Sequence, residues 1–121
     1  MKEENLIKEK TYSFALEIIR LYKYLKLEKK EFVLSKQILR SGTSIGANVE
    51  DAQAAQSKKD FLYKLAIASK EARETLYWLK LLRDSGYIAN YLEKDLLFEE
   101  INSIINIFTK INKTLMENQN G

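Results

Sequence analysis

The side chains with the most chemical potential lie on one helical ridge in the middle of the chain. Residues 34 to 56 read LSKQILRSGTSIGANVEDAQAAQ. At 3.6 residues per turn, one face of this stretch carries a polar ridge of Arg40, Ser44, Asn48 and Asp51. The opposite face is a predicted buried apolar stripe of Ile38, Gly42, Ile45, Val49 and Ala52. Water alone does not require such a mixture, since Lys and Glu would serve. We therefore expect the polar ridge to contact another subunit, a ligand or a neighbouring helix. The alternative is a solvated helix face.

The sequence lacks the residue types that most catalytic and metal sites use. The chain has no His and no Cys, so the commonest general base, the commonest transition-metal ligands and the usual nucleophilic triads are missing. Glu71 and Glu74 have the spacing of half a di-iron motif, but no His completes it. We interpret these two carboxylates as surface partners of Lys70, Arg73 and Lys80. The sequence predicts no enzyme activity, no metal site and no cofactor.

A basic stripe follows on the third predicted helix. Residues 57–86 carry seven Lys or Arg against four Asp or Glu. The stripe that we consider for nucleic-acid binding consists of Lys70, Arg73, Lys80 and Arg83, and Tyr77 lies in the same sector. A basic stripe with an aromatic residue can follow a phosphate backbone. The alternative is a solvated face paired with the acidic fourth helix of the same or a neighbouring subunit.

The elements that must position these residues are four long helices. The 121 residues contain no Pro. Apolar periodicity predicts helices at about 5–27, 32–56, 58–85 and 91–116, in a single domain over residues 1–121. Short connections favour an all-α fold, an antiparallel up-and-down four-helix bundle. Ser57 and Asp60 predict a capping box, Gly86 a left-handed helix end, and Asn90 an N-cap.

Two glycines lie inside the second predicted helix, at positions 42 and 46. Each costs about 1 kcal/mol of helix propensity relative to Ala. Because the apolar register continues through both, we predict an unbroken helix in which a neighbouring backbone approaches closely. A break near residues 41–44 is the alternative.

Two helices carry a second apolar face, which predicts a homo-oligomer. On the first helix the second face contains Tyr12, Leu16 and Ile19. On the third helix the predicted oligomer interface consists of Tyr63, Ile67, Tyr77, Trp78 and Leu81.

Charge and hydropathy indicate the cellular location of the protein. The N-terminal MKEENLIKEKTYSF lacks the apolar core of a signal peptide, and no apolar run reaches the roughly 20 residues that span a bilayer. The net charge is +3 and the pI is about 9.0, which permits nucleic-acid contact without requiring it. We expect a cytoplasmic protein with no membrane partner.

The run LRSGTSIGANVEDAQAAQSKKDFLYKLAIASKEARETLYWLKLL resembles the four-helix-bundle proteins named for the 23S rRNA intervening sequence. The similarity rests on Arg40, Ser44-Ile45, Ala47-Asn48 and Asp51, followed by Lys59-Asp60-Phe61 and residues 71–74, and covers roughly residues 5 to 115. Two departures are Gly46, where the family often has Pro, and Asp51-Ala52, where it often has Glu-Gly.

The resemblance implies a four-helix bundle, often a ring-like homopentamer, with no established enzymatic activity. Some members are encoded within intervening sequences of ribosomal RNA genes. Similar bundles are accessory proteins of diversity-generating retroelements that associate with RNA and a reverse transcriptase. RNA or an RNA-handling protein is therefore the implied partner, besides further copies of the chain. A protein–protein scaffold or accessory subunit that binds no nucleic acid is the alternative.

Overall fold

Four long helices make up the chain in a computed structural model. The structure describes the backbone of residues 2–120 and the side chains of residues 5–117. The helices are α1 (Lys2–Leu27), α2 (Leu34–Gln53), α3 (Lys58–Asp84) and α4 (Lys94–Asn120), and the described backbone contains no β-strand. The predicted all-α four-helix bundle is therefore confirmed.

The apolar stripes of the four helices meet in one core. On α2, every member of the predicted stripe is buried, and α4 buries its whole heptad stripe of Leu97, Ile101, Ile104, Phe108, Ile111 and Leu115. The core residues of α1 are Ile7, Phe14, Ile18, Leu21 and Leu25, and those of α3 include Leu65, Ala68, Ala72 and Leu79. Among the helices described, none is both long and apolar enough to cross a membrane.

Each helix packs against its neighbours in the order of the chain. α2 contacts α1 and α3, and α4 contacts α3 and α1. Along the α1–α2 contact, Lys8 lies 4.0 Å from Glu50, Thr11 lies beside Gly46 and Ile18 beside Gly42. The residue numbers fall along α2 as they rise along α1, which is the order of antiparallel helices.

Gly42 lies against the Ile18 side chain of α1, whereas Gly46 lies against the Thr11 backbone. A Cβ atom at Gly42 would lie 2.8 Å from two side-chain carbons of Ile18, closer than carbon atoms pack. At Gly46 a Cβ atom would lie 3.3 Å from its nearest neighbour, the Thr11 carbonyl oxygen. α2 is continuous through both glycines, as predicted, and their lack of a side chain lets α1 come near.

The predicted start of α2 at residue 32 is wrong by two residues, and Glu31 is the reason. Its buried carboxylate accepts hydrogen bonds from the backbone N–H groups of Val33, Leu34 and Ser35 at 3.2, 3.0 and 2.7 Å. These are donors that a helix start otherwise leaves unpaired. The capping interaction begins α2 at Leu34 and leaves Phe32 and Val33 outside it.

The other boundaries also differ from the prediction in part. α2 ends at Gln53 rather than 56, because the backbone N–H groups of residues 54 and 55 bond three residues back and tighten the last turn. The cap of α3 is half of the predicted capping box: the Ser57 hydroxyl accepts from the Asp60 N–H at 3.0 Å, but among the described residues the Asp60 carboxylate does not bond back to the Ser57 N–H. Gly86 follows the α3 C-cap with a φ of 87°, the left-handed conformation expected of it.

Asn90 is not the N-cap of α4. Residues 86–94 form consecutive tight turns, with N–H to carbonyl bonds from residue 89 to 86, 91 to 88 and 94 to 91. Ile88 is buried in the core and Tyr91 packs against it, so the connection follows the end of the bundle before α4 begins at Lys94.

Candidate functional site

The polar ridge on α2 meets α3 through Arg40. The Arg40 Nη1 donates to Glu71 Oε2 at 3.2 Å, and its Nη2 donates to Glu74 Oε2. The interpretation of these glutamates as partners of the lysines and arginine on α3 is therefore wrong. They lie on the α2 side of α3, where the register of the two helices brings Arg40 to both carboxylates.

Ser44 and Asn48 bond to the backbone of their own helix. The Ser44 hydroxyl donates to the Arg40 carbonyl at 2.6 Å, and the Asn48 Nδ2 donates to the Ser44 carbonyl at 2.9 Å. Short polar side chains in helices often bond backward in this way. Asp51 is exposed and lies eleven residues beyond Arg40, roughly 16 Å along the helix, so the two do not pair within one chain.

Glu74 also links the ridge to the predicted oligomer interface. Its Oε2 accepts a hydrogen bond of 3.1 Å from the Trp78 indole nitrogen. The Tyr77 and Trp78 rings meet edge to face with centroids 5.1 Å apart. Arg40, Glu74 and Trp78 thus form one polar network on the surface between α2 and α3.

A buried hydroxyl pair beneath this network was missed by sequence reasoning. Thr75 Oγ1 lies 2.9 Å from Ser41 Oγ and 2.8 Å from the Glu71 carbonyl oxygen. Both hydroxyl residues are buried between α2 and α3. Their place beside the apolar stripes is the only sequence signal that indicates this contact.

All four members of the basic stripe on α3 are exposed, and three of them have no acidic partner among the described residues. Lys70, Arg73 and Lys80 are exposed, and within the part of the chain described none has a carboxylate oxygen within 4 Å. Arg83 differs, because its Nε donates to Asp84 Oδ1 at 2.8 Å and its guanidinium lies 5.1 Å from the centre of the Phe98 ring. The hydrogen bond raises the pKa of Arg83 and lowers that of Asp84.

The predicted oligomer interface divides into two parts. Tyr63 and Tyr77 are more than half exposed, and Lys70 lies midway between them at a seven-residue spacing. Ile67, Trp78 and Leu81 are partly buried. Because Trp78 bonds to Glu74, this second part lies toward α2, whereas Arg73 lines a surface groove with Asn112 of α4. Trp78 and Arg73 therefore lie on opposite flanks of α3, and Tyr63, Lys70 and Tyr77 lie between them.

Carboxylates do not gather into a metal site in the region with described side chains. No group of three or more Asp or Glu residues there has the spacing to hold an ion. Glu71 and Glu74 are both engaged by Arg40. What the two helices offer chemically is therefore charge, hydrogen bonds and aromatic surface.

Comparison with known proteins places this architecture in a family. A crystal structure of a protein of unknown function from the S23 ribosomal protein family of Bacteroides thetaiotaomicron VPI-5482 is similar, with a TM-score of 0.87 and 49% identity, over 92% of this chain and 98% of that one. No curated protein matches the chain. Neither this neighbour nor the family model that matches the chain indicates an enzymatic family. The family model described as 23S rRNA-intervening sequence protein matches residues 3–113. The chain therefore belongs to the 23S rRNA-intervening sequence protein family.

Proposed function

We propose that this chain is a non-catalytic helical-bundle protein that forms a ring-like homo-oligomer and associates with RNA through the outward face of α3. The observation that carries the RNA part is the exposure of Lys70, Arg73 and Lys80 without carboxylate partners in the described part of the chain. Tyr77 is exposed among them.

Electrostatics support RNA as the ligand of this face. Lys and Arg neutralise phosphates and release counterions, and an exposed aromatic ring can stack on an unpaired base. Of the four acidic residues in 57–86, Glu71 and Glu74 are engaged by Arg40, and Asp84 by Arg83. The family description names a ribosomal RNA context, which agrees with this choice of ligand.

Self-assembly is the second part of the proposal, with a pentamer expected from the family resemblance. We assign the contact between subunits to the apolar flank of α3 toward α2, together with Tyr63, and leave Tyr77 to the RNA face. Tyr12 and Leu16 on α1 add further exposed apolar surface. A contact on the α2 flank leaves Arg73 and Lys80 free to bind RNA on the opposite flank.

A binding titration at low salt tests the RNA part. Fluorescence anisotropy with single-stranded and hairpin RNA should show binding at tens of micromolar protein or below, and Arg73→Glu with Lys80→Glu should weaken it for every RNA. The matched control is Lys110→Glu with Lys113→Glu, two exposed lysines of α4. The control should bind as the unaltered chain does.

Two outcomes contradict the RNA part in different ways. If no RNA binds, the chain is a protein–protein scaffold or accessory subunit. If RNA binds equally to the α3 and control variants, α3 is the wrong surface. Light scattering tests assembly separately: one chain has a mass of 14.1 kDa, and a mass of one chain across micromolar concentrations would contradict the ring.

A further inference from the structure

One end of the bundle combines exposed apolar side chains with unpaired lysines. Both connections, residues 28–33 between α1 and α2 and residues 85–93 between α3 and α4, lie at this end. The Tyr24 ring, in the last turns of α1, contacts the Tyr91 ring of the second connection, with centroids 4.7 Å apart. We refer to the exposed apolar residues Leu27, Phe32, Val33 and Leu92, together with the lysines of residues 23–36, as the basic apolar end.

Four large apolar side chains project from this end. Leu27, Phe32, Val33 and Leu92 are each at least half exposed, with Val33 at 70% and Leu92 at 91%. They belong to no part of the core. All four lie in or next to the two connections, so this end of the bundle carries exposed apolar surface of the kind that marks a place of contact.

The first connection holds its apolar residues in a fixed position. The Glu31 carboxylate bonds to the N–H groups of residues 33–35, and the Glu31 N–H donates to the Leu25 carbonyl at 2.9 Å. Lys30 turns the chain with a φ of 54°. Phe32 and Val33 are therefore presented to solvent by a hydrogen-bonded turn, and contact with a partner need not order them first.

Lysines are concentrated in and next to the first connection. Residues 20–36 contain six Lys or Arg against two Asp or Glu, a net charge of +4 that exceeds the +3 of residues 57–86. One of the two acids, Glu31, is buried and serves as the helix cap. The lysines are Lys23, Lys26, Lys29, Lys30 and Lys36, and in the described region none has a carboxylate oxygen within 4 Å. The second connection adds one acid, Glu93.

We propose that the basic apolar end docks on the surface of a bilayer that contains anionic lipids. Aliphatic side chains enter the interfacial region, and lysine stems lie along apolar surface while their ammonium groups reach lipid phosphates and carboxylates. Docking of this kind needs no membrane-spanning helix. The expectation of no membrane partner rested on the lack of a spanning stretch, so it does not weigh against this inference.

Two other occupants fit this end less well. RNA binding relies on aromatic stacking, and only Phe32 among the four exposed apolar residues carries a ring. A second copy docked end to end would bring two sets of lysines together, and like charges repel. The excess of positive charge thus favours an anionic surface, and the aliphatic side chains favour lipid.

Vesicle sedimentation tests the proposal with the full chain. Vesicles of phosphatidylcholine with about 30% phosphatidylserine should pellet the protein at about 100 mM salt, and vesicles of phosphatidylcholine alone should not. Replacing Lys23, Lys26 and Lys36 by Gln should weaken binding by about a hundred-fold, since each lysine near an anionic surface contributes about five-fold. Replacing Phe32 and Val33 by Ser should weaken it by about ten-fold, since binding scales with buried apolar area.

Matched variants at the opposite end of the bundle serve as controls. Lys58, Lys59 and Lys113 replaced by Gln remove the same charge, and Leu6 and Met116 replaced by Ser remove comparable exposed apolar surface. Both should leave vesicle binding unchanged. Circular dichroism melts check that each variant is folded.

Several results overturn the proposal. They are no binding to anionic vesicles at tens of micromolar protein, equal losses in the control variants, or a loss with the lysine variants but none with Phe32→Ser and Val33→Ser. RNA binding that depends on this end, with no vesicle binding, would assign the end to RNA instead.

Discussion

Replacing Arg40 by Ala tests whether the contact between α2 and α3 holds the bundle together. Arg40 is the only cation in the described region that bonds to Glu71 and Glu74, and Glu74 in turn holds the Trp78 indole. Truncation leaves both carboxylates without their charged donor. It also leaves Glu74 with the indole N–H as its one side-chain donor in that region.

The expected loss in the free energy of unfolding lies between the values for exposed and buried ion pairs. The Arg40 side chain is 50% exposed, that of Glu71 15% and that of Glu74 29%. An exposed pair contributes about 0.2–1 kcal/mol, whereas breaking a buried one costs about 3–5 kcal/mol. We expect a loss of about 1.5–2.5 kcal/mol in the free energy of unfolding. For 121 residues this lowers the melting temperature by about 6–10 °C.

Urea and thermal unfolding followed by circular dichroism, at one protein concentration, measure this loss. Lys110→Ala serves as the control, since Lys110 is exposed and makes no ion pair in the described part of the chain. A double-mutant cycle with Glu74→Gln isolates the Arg40–Glu74 coupling. A melting temperature within about 2 °C of the unaltered chain would refute the reasoning and return Arg40 to the solvated-face interpretation.

Three further predictions concern the scaffold. Gly42→Ala should destabilise the fold by about 1 kcal/mol despite the gain in helix propensity, because the new Cβ overlaps Ile18; a chemical-denaturation midpoint that rises would contradict this. Glu31→Ala should cost about 1–2 kcal/mol, because three backbone N–H groups at the start of α2 lose their acceptor; Glu31→Gln keeps an oxygen acceptor and should lose less. Burial raises the pKa of Tyr91 to about 12, so the folded state favours the neutral phenol. Its contribution to stability is complete below about pH 10 and falls as the pH rises toward 12. Absorbance titration at alkaline pH should show one late-ionising phenol that Tyr91→Phe removes.

Apolar periodicity predicted the fold because it shows which face of each helix is buried, and burial of apolar side chains dominates helix packing. The stripe on α2 is buried at every predicted position, α4 buries its heptad stripe, and α2 continues through Gly42 because the register of the stripe survives there. Local chemistry predicted the Ser57 cap and the left-handed Gly86, since each depends on its own short segment.

Contacts between elements were not predictable in the same way. The pairing of Arg40 with Glu71 and Glu74 depends on the register of α3 against α2, which no single helix encodes. The Glu31 cap was missed because it lies inside a charged run that resembles an ordinary solvent-exposed connection. Exposure of a lysine is likewise a property of the assembled bundle, so the sequence indicated a basic stripe without showing which members have partners.

The central claim is that the outward face of α3 contacts phosphates. The salt dependence of RNA binding is its most direct test. The logarithm of the association constant should fall linearly with the logarithm of salt concentration between about 50 and 200 mM. Replacing Arg73 and Lys80 by Gln should make this slope shallower by about 0.7 for each lost phosphate contact with single-stranded RNA. Replacing Lys110 and Lys113 by Gln should leave the slope unchanged. An unchanged slope in the Arg73 and Lys80 variant, or RNA binding that does not respond to salt, would contradict the account.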